Sequence, residues 1–248
     1  PLPIMLAHDL AKGLTRLRKE SIVPYLKPDG KTQVTLQYED GKPVRADSVV
    51  VSTMHSFDIT QPELLRDLLK HLFQPVLEDL LDKDTRVYVN PTGRFVVGGP
   101  AIDTGLTGRK LLVDTYGEAA RHGGGAFSGK DPTSSDRCGA YLARYLAKHV
   151  VAAGLAKQCE IELAYAIGSY APLHLTVSTQ RTGVIPDHEI GKFLEKNFDL
   201  TISGSMKIFD LRRPIYKQTA AYGHFGRDGF PWEKLDQLAL FQEVMHHV

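Results

Sequence analysis

The chain has 248 residues, 42% of them hydrophobic and 24% charged, and its net charge is +1. That is long enough for one large domain or two small ones. The balanced charge excludes a global field that would draw in nucleic acid or an anionic membrane. Two cysteines, Cys138 and Cys159, lack metal-ligand spacing and cannot form a disulfide framework, which points to a reducing cytoplasm. The opening run Pro1 to Leu6 is too short, and too poor in basic residues, for a signal peptide. No apolar stretch reaches the roughly eighteen residues of a membrane span.

Leu6, Leu10, Leu14 and Leu17 recur at helical spacing and predict an amphipathic helix over 4–20. Asp29-Gly30-Lys31 reads as a turn and residues 32–38 as a strand. Asp40-Gly41 marks a hairpin, with residues 44–53 as the returning strand. Thr60 followed by Glu63 has the pattern of a capping box and opens a helix over 61–73. Residues 86–90 form a short strand.

Asn90-Pro91-Thr92-Gly93 and Gly98-Gly99-Pro100 then break the chain twice, which sets a domain boundary between 1–97 and 98–248. Residues 109–116 read as a buried strand. Leu142, Tyr145, Leu146, His149, Val150 and Ala153 share one helical face, which Gly154 terminates. Residues 160–167 and 173–179 alternate as strands, and 187–197 is helical. Both halves mix helices with paired strands. The expected class is α+β, with repeated βαββαβ-type layers and helices packed on largely antiparallel sheets.

Ten of the 22 glycines fall between Gly93 and Gly129. The densest stretch is Arg121-His122-Gly123-Gly124-Gly125-Ala126-Phe127-Ser128-Gly129-Lys130-Asp131. Without Cβ atoms, successive backbone N–H groups can converge on an oxyanion, and a neighbouring lysine adds full charge. The same window holds Arg94, Arg109, Lys110 and Arg137, together with Asp103 and Asp136. That combination points to a polyphosphate site.

Gly124 to Lys130 satisfies the P-loop spacing, but Asp131 stands where magnesium needs Ser or Thr, and no strand leads directly into the loop. The competing reading is a flexible surface loop that ends at a helix. Asp29, Asp103 and Asp136 are each, taken alone, more often turn or cap residues than ligands. His8, His55, His71, His149 and His174 read as surface or satisfied core histidines, and His246-His247 as a frayed tail. Tyr222-Gly223-His224-Phe225-Gly226-Arg227 reads as a packed C-terminal loop.

Longer signatures resolve these fragments. Gly98-Gly99-Pro100, Asp103, and Gly105 through Lys110 are followed by Val113-Asp114-Thr115-Tyr116-Gly117 and the triple-glycine run. With Tyr165-Ala166-Ile167-Gly168 and Thr219 to Gly226, they closely resemble S-adenosylmethionine synthetase (methionine adenosyltransferase). Pro28 to Val34 and Asn90 to Phe95 resemble that family too, so the likeness covers essentially the whole chain.

The resemblance implies a transfer of adenosyl from ATP to L-methionine, with the whole tripolyphosphate leaving and then being cleaved to phosphate and diphosphate. It implies that Lys31, Arg109, Lys110 and Lys130 neutralise the triphosphate and act as the catalytic cations. Asp29 and Gly30 would line the nucleotide site, and Phe95 beside Arg94 would stack on adenine. Asp103 would contact ATP and the methionine amino group, and Ala126 would contact nucleotide through its backbone. Asp136 would help bind magnesium. Ala166 and Ile167 would border a mobile flap.

Two Mg2+ ions and K+ are the implied cofactors. A cytoplasmic homodimer or dimer of dimers, with active sites between subunits, is the implied assembly. Two departures accompany the likeness. The family's N-terminal domain, with its His-Pro-Asp-Lys motif, does not appear in these residues, so the chain is expected to be a central and C-terminal portion without full activity by itself. Ser134 also stands where the family carries a methionine-binding lysine. A short non-catalytic nucleotide-binding or partner subunit of the same fold is the rival reading.

Overall fold

The computed structural model describes residues 1–244, so the His246-His247 tail lies outside the described residues. The chain divides into two compact units. The first comprises residues 1–106 with 116–119, and the second comprises 107–115 with 120–248.

The first unit opens with α1 (Leu2–Lys19), whose buried stripe includes Leu6, Leu10, Leu14 and Leu17, the residues whose spacing predicts it. Strands β1 (Leu26–Glu39) and β2 (Lys42–His55) then form a long antiparallel hairpin. Its turn residues Asp40 and Gly41 take φ of 49° and 75°, the left-handed pair that a tight hairpin requires. Asp29-Gly30-Lys31 is not a turn, contrary to the expectation. It belongs to β1, where the pairing register shifts between Leu26 and Gly30. An irregular strand carries the same Gly and Asp signals as a turn.

Helix α2 (Gln61–Leu68) starts at Thr60, whose backbone N–H and hydroxyl both donate to the Glu63 carboxylate, at 3.0 and 2.6 Å. These bonds hold the Glu63 carboxyl below the usual carboxylate range. A π-helical turn (Leu69–Phe73) continues it into α3 (Gln74–Leu77). Through it Leu64, Leu68, Leu72, Phe73 and Leu77 all turn inward and are buried. Strand β3 (Arg86–Val89) pairs parallel with β2, giving sheet order β1-β2-β3. Asn90, buried at 3% exposure, accepts from the Thr53 N–H and donates to the Thr53 carbonyl, which locks the end of β3 to β2.

The second unit begins with a short helix, α4 (Leu111–Asp114), where a buried strand over 109–116 is expected from the sequence. Leu112 and Val113 are exposed and no strand pairs with this segment. The three-residue apolar run Leu111-Leu112-Val113 has no period long enough to distinguish the two. Helix α5 (Ser135–Ala152) buries Tyr141, Leu142, Tyr145, Leu146, His149 and Val150, and Gly154 follows at φ 81°.

Strands β4 (Glu160–Ala164) and β5 (His174–Ser178) pair antiparallel. Helices α6 (Asp187–Asn197), α7 (Ile202–Phe209) and α8 (Leu238–Glu243) complete the unit. A long helix, an antiparallel hairpin and a further helix thus recur in both units, as an α+β class with mostly antiparallel sheets. Among the described residues only the first unit adds a third strand. No described helix is long and apolar enough to cross a membrane.

Candidate polyphosphate site

In the second unit the glycine-rich loop is anchored, not loose. Phe127 is 3% exposed and meets the edges of His224 at 5.1 Å, Tyr141 at 5.6 Å and Phe225 at 5.9 Å between ring centres. Such edge-to-face contacts fix ring orientation as well as burying area. Ser128 Oγ hydrogen-bonds His224 Nε2 at 3.1 Å. Earlier in the loop, the Gly124 N–H donates to His122 Nδ1 at 2.8 Å.

Gly125 faces Asp136 so closely that a Cβ there would lie 2.5 Å from its carboxyl. Only glycine lets this backbone pass the carboxylate. Asp136 lies in the first turn of α5, and Lys130 Nζ meets its Oδ2 at 2.5 Å. Both side chains are partly exposed, at 37% for Lys130 and 48% for Asp136. The pair therefore sits where a ligand from solvent can reach it.

Residues 107–110 run alongside the loop. A Cβ on Gly108 would lie 3.0 Å from Ala126 Cβ, and one on Gly129 would lie 3.4 Å from Thr107 Cγ2. This places the segment bearing Arg109 and Lys110 next to Ala126 and Gly129. Arg109 and Lys110 are exposed and form no ion pair among the described residues. The sequence expects both to open a strand, but they precede α4 instead.

Ser134 is the N-cap of α5 by backbone position, and its side chain makes no capping bond. Arg121 turns away to Glu160 Oε1 on β4, at 2.6 Å. Tyr165 closes β4 by donating to the Leu200 carbonyl at 2.8 Å, while Ala166 and Ile167 beyond it are fully solvent-facing.

The expected nucleotide residues of the first unit form a second group. Asp29 Oδ2 accepts the Gly99 N–H at 2.6 Å, which ties β1 to the turn at Gly98-Gly99. Phe95 is half-buried, and its carbonyl accepts the His55 N–H at 2.9 Å. Arg94 lies over the exposed ring of Phe57 at 4.3 Å, a cation–π pair. Lys31 and Gly30 are exposed on β1. Asp103 is exposed, and its Oδ1 accepts the Gly105 N–H at 2.9 Å, as a turn-forming aspartate does.

Among the described residues no cluster of three His, Cys, Asp or Glu side chains is placed to hold a metal. Asp136 offers a single, half-exposed carboxylate beside Lys130. A single carboxylate paired with a lysine is one donor and not by itself a metal site. The sequence reading places Arg137 among the cations of this region and His224 in a packed loop, but not the role the two share in holding the glycine-rich loop. Thr219 lies 82 residues from Arg137, and Tyr141 and Ser128 lie 83 and 96 residues from His224, and no local pattern signals such pairings.

Two family models match the chain: the S-adenosylmethionine synthetase central domain over residues 1–95, and the C-terminal domain over 97–234. The S-adenosylmethionine synthases of two Staphylococcus epidermidis strains, RP62A and FDA PCI 1200, are each 54% identical over 249 aligned residues. Each alignment covers 99% of this chain and 62% of the relative, so the chain spans about three fifths of the length of these relatives. The glycine-rich loop, its lysine–aspartate pair and the flanking Arg109-Lys110 segment all fall within the matched C-terminal domain. The chain belongs to the S-adenosylmethionine synthetase family and carries its central and C-terminal domains.

Proposed function

We propose that the protein of which this chain is part is a methionine adenosyltransferase. It forms S-adenosylmethionine from ATP and L-methionine and releases phosphate and diphosphate. The observation that carries this reading is the anchored glycine-rich loop, with Lys130 and Asp136 side by side at the start of α5 and Arg109 and Lys110 alongside.

In the reaction the methionine sulfur attacks the ribose C5′ with a lone pair, and the C5′–O bond breaks. The tripolyphosphate departs with that electron pair, while the sulfur becomes a sulfonium. A thioether is already a nucleophile, so no general base is required. Catalysis rests on aligning sulfur with C5′ and on stabilising a highly anionic leaving group. Lys130, Arg109, Lys110 and Lys31 supply fixed positive charge for that group. N–H groups around Ala126 add dipoles at no reorganisation cost. Asp136 is the residue that would help hold Mg2+, which would add further neutralisation of the leaving group.

Asp29, Gly30, Arg94 and Phe95 are the proposed nucleotide contacts. Asp103 and Ser134 are the proposed methionine contacts, and Ala166 and Ile167 the proposed border of a flap. Two Mg2+, K+, a homodimer or dimer of dimers with active sites between subunits, and a cytoplasmic location complete the proposal. Membership of the family supports each of these.

The test uses the full-length protein with ATP and methionine. Formation of S-adenosylmethionine is expected, with loss of about a hundredfold or more in kcat for Lys130→Met. Binding of ATP without any product would instead favour a non-catalytic subunit. Transfer of the terminal phosphate alone would replace the reading with a phosphotransferase. Ser134→Lys is expected to lower the methionine KM, and an unchanged KM removes Ser134 from the methionine contacts.

A further inference from the structure

The buried side of the loop holds a cation that this mechanism does not use. Arg137 is 4% exposed, yet it forms no ion pair among the described residues. Its guanidinium donates only to uncharged oxygens: Nη1 to the Lys130 carbonyl at 2.8 Å, Nε to the Tyr141 hydroxyl at 3.1 Å, and Nη2 to Thr219 Oγ1 at 3.3 Å. The ring of Tyr216 lies 4.2 Å from its guanidinium carbon. A buried charge without a carboxylate is expensive in solvation, even with a hydrogen bond from each of its nitrogens.

Arg227 repeats the pattern nearby. It donates to the Gln218 and Gly223 carbonyls and lies over Phe230 at 4.7 Å. His224, fully buried, bonds Tyr141 through Nδ1 at 2.8 Å and Ser128 through Nε2 at 3.1 Å. Burial pushes its pKa down to about 4, and the charges of Arg137 and Arg227 add to that push. The imidazole is therefore neutral near pH 7 and serves as a connector.

These contacts form one closed path: Ser128, His224, Tyr141, Arg137, Lys130. It grips the loop on both sides of Gly129. A planar guanidinium held at three separate acceptors fixes direction as well as distance. An unpaired charge in a low-dielectric interior also projects a positive potential toward whatever the loop meets.

We propose that Arg137 is the positioning residue of the loop lysine: its Nη1 bond to the Lys130 carbonyl, braced through Tyr141 and His224 to Ser128, sets the turn from which Lys130 engages a polyphosphate, and its unpaired charge strengthens that engagement. The proposal rests on the polyphosphate reading of the same loop.

The test compares the full-length protein with Arg137→Lys, which keeps the charge but loses the planar guanidinium, and Arg137→Met, which loses both. Thr219→Val, which removes one neutral acceptor, is the milder control should Arg137→Met fail to fold. Inorganic tripolyphosphate is titrated by calorimetry, and kcat and KM are measured alongside the melting midpoint. Arg137→Lys is expected to weaken tripolyphosphate binding about tenfold, the equivalent of one charge-assisted hydrogen bond. It is also expected to lower kcat on the order of a hundredfold, with the methionine KM unchanged. A purely structural role predicts a lower melting midpoint with tripolyphosphate affinity and kcat unchanged, and that result overturns the proposal. If the parent protein binds tripolyphosphate but makes no product, the adenosyltransferase reading falls while the binding comparison still decides Arg137. A parent that does not bind tripolyphosphate overturns both.

Discussion

The first unit has an aliphatic interior. Leu10, Leu17, Leu64, Leu68, Leu72, Phe73, Val49 and Val51 are all essentially inaccessible, and its buried polar groups, such as Asn90, tie backbone to backbone. The second unit buries rings and charges. Tyr141 stacks on Trp232 with centroids 3.7 Å apart, His149 stacks on Phe241 at 5.0 Å, and Phe230 lies against Trp232 at 5.0 Å. Glu233, with 5% of its side chain exposed, receives both Arg144 and Lys148 at 3.0 and 2.8 Å and also the Gly226 N–H. An aliphatic core stabilises through area and fills space without fixing orientation. A ring-and-charge core is directional, and it suits a unit that must hold a loop in one geometry. It also makes that unit sensitive to protons.

The contrast can be broken or sharpened in four measurements, from the largest effect to the smallest. Trp232→Ala removes the ring on which Tyr141 and Phe230 stack. It is expected to cost about 4 kcal/mol, read from chemical denaturation, with the loss of amide protection concentrated in residues 120–244. Leu68→Ala in the first unit, a fully buried member of its hydrophobic core, is expected to cost about 3 kcal/mol, equally at pH 7 and pH 5. A pH-dependent cost there would blur the distinction between the units.

The third measurement is the pH slope. His224 has a folded pKa of about 4, below the unfolded value of 6.5. The unfolded chain therefore binds the extra proton first as pH falls. Stability from this group is complete above 6.5 and drains away toward 4. A loss of roughly 2 kcal/mol is expected between pH 7 and pH 5, and His224→Gln should flatten that slope. Burial works against the ionised form of Glu233, but Arg144 and Lys148 prevail and hold its carboxyl below the usual range. Its contribution is therefore kept above about pH 4.5 and is lost only at lower pH. The smallest effect is expected at Arg45, whose fork on Asp82 is exposed to solvent. Arg45→Ala should leave the melting midpoint nearly unchanged at physiological salt.

Elements written in consecutive residues were legible in the sequence. The leucines of α1, the Asp40-Gly41 turn, the Thr60–Glu63 box and the bounds of α6 each depend on neighbours within a few positions. The family signatures were legible for the same reason. Residues 29–31 and 109–116 were misread because their local chemistry fits two outcomes, and pairing elsewhere in the chain chooses between them. At the polyphosphate loop, the glycines and Lys130 announced themselves. Their support did not, because Arg137, Thr219 and His224 meet only after the second unit has folded. A residue that acts by holding another leaves no motif.

The π-helical turn between α2 and α3 has a consequence for how this family's members align. Inward positions run 64, 68, 72, then 73 and 77, so the widened turn accommodates one surplus residue and presents Leu72 and Phe73 to the interior together. Such a turn holds one residue more than an α-helical turn without resetting the helix on either side. A relative one residue shorter here should run as an unbroken α-helix and keep only one of those two anchors.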